Sequence, residues 1–194
     1  NKIKSYRIYL LCQARYIYYV ERDYLNIAMG LIYLKVGIPR ALLYYYYFPF
    51  WKTLFEQLGF EVVVSDETSK EMVNKGIKIT VQEICVPIKV FNSHVLNLIE
   101  KNVDYIFIPR MVSIRKRETF CPKFLGLPDM SRRVFAEYSD RILSPKIRCG
   151  TNKINDVKSY KEMARKLGVS NFKLRKAVKE AEKALTETRK LSMK

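Results

Sequence analysis

Two cysteine-centred segments carry the residue types best suited to chemistry in this chain: Glu83-Ile84-Cys85-Val86-Pro87-Ile88-Lys89 and Phe120-Cys121-Pro122-Lys123-Phe124-Leu125-Gly126-Leu127-Pro128-Asp129. Each sets a thiol beside a proline in an apolar stretch. Thiolate sulfur is a soft metal ligand, and a proline after a cysteine stiffens its loop, as at the Cys-Pro end of bacterial ferredoxin runs. Pro87 suits the first turn of a helix, where a missing N–H costs nothing. Cys85 would then sit just ahead of a helix N-terminus, whose positive end favours the thiolate form that binds metal. The plain alternative is that both thiols are structural, since free cysteine packs like a small hydrophobe. Two cysteines do not close a four-thiolate site. Cys149 lies in a stretch without supporting pattern and Cys12 is weaker still, so a missing ligand would come from another subunit, from water or substrate, or from further chain.

Other reactive types are sparse. His94 is the one histidine, and it falls on a predicted helix among Phe91, Val95 and Leu98. That setting reads as a satisfied, partly buried side chain rather than an acid–base catalyst. Arg40 and Arg110 follow strand-proline pairs, where an arginine binds a phosphate or carboxylate or is simply salt-bridged. No HExxH, GxSxG or Walker-type glycine loop is present.

The elements that must position these residues follow from Leu31 onward. An apolar strand from Leu31 to Ile38 leads to a helix from Tyr44 to Leu58, with Pro49 near its start and Gly59 as its stop. A β-branched strand from Phe60 to Val64 is followed by capping residues Ser65 to Ser69 and a helix through Lys75, closed by Gly76. A short helical piece around 77–84 precedes the Cys85 break and a helix from about Pro87 to Lys101. A third strand from Val103 to Ile108 stops at Pro109, and a loop carries the second cysteine to Asp129. A last strand from Leu143 to Ile147 and charged helices over 157–167 and 170–191 finish the chain. Strand–helix alternation of this kind predicts an α/β fold, a Rossmann-like parallel sheet flanked by helices, with a helical basic C-terminal segment. The domain reading is an atypical tyrosine-rich segment over 1–30, the α/β domain over 31–150, and the charged helices over 151–194.

The bulk numbers narrow the function classes. An apolar fraction of 48% argues against wholesale disorder. No secretory leader is visible and no apolar run nears the roughly 20 residues of a membrane span, so the expected setting is cytoplasmic, with no membrane partner. Four scattered cysteines without a CxxC pair then read as thiols or metal ligands rather than disulfides. A net charge of +17 raises nucleic-acid binding or a scaffold role. Much of the excess lies after Lys146, interleaved with Asp156, Glu162, Glu180, Glu182 and Glu187, as on a solvated helix face, which makes nucleic acid an unlikely partner.

Taken in order, Lys35-Val36-Gly37-Ile38-Pro39-Arg40, Phe50-Trp51-Lys52-Thr53-Leu54-Phe55, Leu58-Gly59-Phe60-Glu61-Val62-Val63-Val64 and the two cysteine segments resemble a known group. They are similar to acyl-CoA dehydratase activase-related proteins, an uncharacterised domain found alone or fused to the CoA-enzyme activase ATPase and related to 2-hydroxyacyl-CoA dehydratase subunits of anaerobic bacteria. The resemblance runs from about Lys35 to Lys146. It implies a Rossmann-like fold and a [4Fe–4S] cluster, with Cys85 and Cys121 as the metal and cofactor ligands. It further implies an iron–sulfur redox or dehydratase-like component in electron transfer, with an ATP-dependent activase domain or protein as partner and acyl-CoA as a candidate substrate. The group usually continues into a second lobe, so this chain is expected to be one lobe of a larger protein, completed by a second lobe or subunit. The alternatives are the basic nucleic-acid-binding or scaffold module and an inactive truncated domain.

Overall fold

The computed structural model describes residues 34–115, 118–148 and 154–192. The 1–30 segment, Cys12 and Cys149 lie outside the described residues.

The described residues begin with strand β1 (Lys35–Ile38), helix α1 (Tyr44–Leu58) and strand β2 (Glu61–Val64). Helix α1 forms because Phe50, Trp51, Leu54, Phe55 and Leu58 recur on one face and are all buried. It ends at Gly59, whose φ of 90° is the left-handed geometry a helix stop favours. Helix α2 (Lys70–Ile79) starts at Ser69, whose hydroxyl accepts from the Met72 N–H at 3.1 Å. Helix α3 (Val86–Glu100) and strand β3 (Tyr105–Phe107) follow. With β6 (Ile142–Leu143) these strands make a parallel sheet in the order β2-β1-β3-β6. The registers pair Val36 with Val62, Gly37 with Ile106 and Ile106 with Ile142. The predicted α/β class, with its parallel sheet flanked by helices, is what the chain adopts.

Each face of this sheet has its own core. On one side Val36, Ile38, Phe107 and Leu143 pack with α1 and with helices α6 (Val157–Lys166) and α7 (Asn171–Ser192). Tyr160, Leu174, Ala177 and Ala181 are at or near full burial there, so the charged C-terminal helices contribute an apolar stripe to the main core. On the other side Ile88, Phe91, Val95 and Leu98 of α3 cover Ile106 and Ile142.

Three local expectations need correction. Gly76 does not close α2. It lies inside that helix at its contact with α3, and a Cβ built there would stand 2.3 Å from the Lys89 carbonyl oxygen. The absent side chain is what lets the two helices approach. The stretch after Pro109 is also not a plain loop: it contains β4 (Arg110–Arg115), β5 (Glu118–Thr119) and the helices α4 (Pro122–Leu125) and α5 (Leu127–Val134). The last strand, expected over 143–147, is divided at Pro145 into β6 and β7 (Lys146–Arg148), and β7 pairs in parallel with β4 in a second sheet ordered β5-β4-β7.

Candidate functional site

Cys85 and Cys121 occupy the same local position, the N-cap residue of a helix. Cys85 precedes α3 with φ −63° and ψ 148°, and Cys121 precedes α4 with φ −60° and ψ 152°. The adjoining prolines explain this, because each fills a first-turn position that has no N–H to satisfy. The backbone oxygen of Cys85 accepts from the N–H groups of Ile88 and Lys89, and that of Cys121 from Phe124 and Leu125. The Cys121 sulfur also accepts from the Phe124 N–H at 3.4 Å. Both thiols are free and exposed.

The fold brings the two cysteine segments together. Lys123 Nζ, two residues past Cys121, donates to the Glu83 carbonyl, two residues before Cys85, at 3.2 Å. Sequence reasoning missed this tether, which joins side chain to backbone across 40 positions. On chemistry the pair suits thiolate coordination, being free, exposed and set on neighbouring segments. In number it falls short of a closed site: among the described residues no group of three or more His, Cys, Asp and Glu side chains is placed to hold a metal ion.

The two arginines proposed as anion ligands are both paired. Arg40 Nη2 lies 3.0 Å from Glu67 Oε1. Arg110 donates to Asp129 Oδ1 at 2.6 Å and to the Leu125 carbonyl at 3.1 Å. That second bond fastens the end of α4 to the start of β4 and so fixes the platform carrying Cys121. The hydrogen bond from Arg110 is the main reason the Asp129 carboxyl is held below its usual range.

His94 is fully buried on α3, and both ring nitrogens are partnered: Nδ1 with Ser65 Oγ at 2.9 Å and Nε2 with Thr68 Oγ1 at 3.0 Å. Ser65 Oγ also accepts from the Arg40 N–H at 2.7 Å. The imidazole thus pins the turns after β1 and β2 to α3, the satisfied role expected of it. Burial is the first cause that pushes its pKa down from the ordinary 6.5, with the Arg40 charge adding to this and Asp66 opposing it. As pH falls, the unfolded chain therefore takes up a proton at this residue before the folded chain does. The stabilisation is present above the ordinary value of 6.5 and is lost toward the lower folded pKa. Urea unfolding should show stability declining below about pH 6.5, with a flatter decline in His94→Asn.

Among the described residues, hollows lie beside these side chains at the carboxyl end of the sheet. An open one of about 300 Å³ lies among Arg40, Tyr45, Thr68, Val86 and Pro87. A narrow one runs between the ends of β1 and β3, walled by Ile38, Trp51, Phe107 and Phe124. Ala41 and Leu42 line both. Leu42 has a φ of 56°, a left-handed conformation costing roughly 1–2 kcal/mol in a residue with a side chain. Neither hollow was legible in the sequence, because the residues of each come from elements far apart along the chain.

Residues 35–194 match the model of a family described as a CoA enzyme activase uncharacterised domain. No curated protein and no solved structure gives a match. Among the described residues, no helix is long and apolar enough to cross a membrane.

Proposed function

The chain belongs to the CoA enzyme activase uncharacterised domain family, and from that premise we propose that it is an iron–sulfur redox or dehydratase-like component of a CoA-enzyme activase system. Cys85 and Cys121 would supply two thiolates to a [4Fe–4S] cluster, whose chemistry when bound is one-electron transfer. The observation that carries this reading is the pair of exposed N-cap thiols on segments joined by the Lys123–Glu83 hydrogen bond. The remaining ligands would come from outside the described residues or from a second lobe or subunit, and an ATP-dependent activase is the partner the family points to. Lys123 and Arg110 would act structurally, the first by holding the two segments together and the second by anchoring α4.

The test is iron and acid-labile sulfide content, with visible and EPR spectra, after anaerobic reconstitution of wild type, Cys85→Ala and Cys121→Ala. Wild type is expected to take up a cluster that each substitution strips out. Failure of wild type to bind iron with sulfide, alone or with its activase partner, would sink the reading. So would a cluster indifferent to both substitutions.

A further inference from the structure

Trp51 is 3% exposed, and its indole N–H is buried without a hydrogen-bond partner among the described residues. Buried donors are rarely left unmade, and each exception calls for an explanation in an ion, a water or a function. Trp51 stands in the wall of the narrow hollow between β1 and β3. In the strand order β2-β1-β3-β6 this is where the chain leaving β1 toward β2 and the chain leaving β3 toward β6 run in opposite directions. Open parallel sheets bind their ligands at that switch point, outside the carboxyl ends of the strands.

The hollow has a definite chemistry. Ile38, Leu42, Phe91, Phe107 and Phe124 line it with Trp51 and Tyr44, and no charged side chain among the described residues does. Its interior room is about 20 Å³, and a water-sized sphere needs about 10–15 Å³, so one acceptor atom fits at depth. A lone water would need two to four polar partners, which a wall made mainly of carbon does not offer. An oxygen carried on an apolar body brings its own carbon to the apolar wall, which includes Leu42 and Phe124.

We propose that this crevice binds an uncharged apolar molecule through one acceptor oxygen, which takes the N–H of Trp51. The proposal does not depend on a cluster at Cys85 and Cys121. Phe124 links the two places in space, since its backbone N–H donates to the Cys121 sulfur while its side chain walls the crevice. The left-handed Leu42 lines the crevice as well.

Trp51 is the one tryptophan in the sequence, so the nitrogen-15-labelled full chain gives a single indole N–H resonance. Titration with 2-pentanone is expected to move that resonance downfield and saturably, whereas n-pentane, with the same carbon skeleton and no acceptor, should leave it nearly in place. Ligand-detected binding of the ketone should weaken about tenfold in Trp51→Phe, the effect of one lost hydrogen bond, with pentane unaffected. Equal responses to both probes would mean the crevice merely fills with carbon and would overturn the proposal. A cross-relaxation peak between the indole proton and a resident water that the ketone cannot displace would also overturn it, as would no response to either probe.

Discussion

Gly76→Ala should destabilise the protein by up to about 2 kcal/mol, although alanine is the better helix former. The exchange gains about 1 kcal/mol of intrinsic propensity. Against this, the new methyl would sit 2.3 Å from the Lys89 carbonyl oxygen and 3.0 Å from both the Lys89 carbonyl carbon and Ser93 Cβ. The nearest of these is backbone of α3, which cannot swing aside as a side-chain tip would, so the helices must part. Overpacking of this kind costs about 1–3 kcal/mol and sometimes more. Because Cys85 caps α3, parting the helices also moves that thiol. Thermal melts of Gly76→Ala beside Gly126→Ala check the argument: a Cβ at Gly126 would meet only the Pro122 carbonyl, at 3.4 Å, and should be tolerated. Equal melting of the two variants would refute the close-approach account.

Phe55→Ala should cost about 3–5 kcal/mol, a large loss in the main core. Phe55 is fully buried on α1. Its ring meets Phe107 of β3 edge-on at 5.1 Å between centroids and Phe60 at 6.4 Å. Removing it empties the junction of helix and sheet, which the fixed backbones on both sides cannot close. Against a typical total stability of about 5–15 kcal/mol, the variant sits near the edge of folding. Urea titration should show a lower midpoint at unchanged slope, whereas Phe172→Ala, at an 81% exposed position, should stay within about 0.5 kcal/mol of wild type. A small loss at Phe55 would mean the α1 face is not the anchor of this core.

The strand–helix alternation was legible because burial on a sheet flanked by helices writes itself locally: β-branched runs at β2, one apolar face on α1, Ser69 as a cap. Gly76 misled because the same residue that ends helices also serves where two helices touch, and a single sequence does not distinguish a stop from a contact. The strand β4 was hidden because Arg110 to Arg115 follows a proline and carries charge at both ends. Its pairing with β7 bridges more than 30 positions. At the candidate site the place of Cys85 ahead of a helix was readable from the nearby proline, a local rule, whereas Cys121 was expected on a loop and caps a short helix. The Lys123–Glu83 tether, the Ser65–His94–Thr68 set and the unpartnered indole of Trp51 are products of tertiary placement. No local pattern announces them.

Pro109 separates β3 from β4, and Pro145 separates β6 from β7, at the same level of two paired strands. There Ile108 N–H donates to the Leu143 carbonyl and Arg110 N–H to the Pro145 carbonyl, both at 2.9 Å, while Pro145 has no N–H to return a bond. In mechanical terms the ribbon carries a crease. The ladder of strand hydrogen bonds is interrupted along that line, while Met111 of β4 and Ile147 of β7 carry the main core across it. The spacing of the two thiols spans that line and is held by the packing of the main core on both sides of it and by the Lys123–Glu83 hydrogen bond.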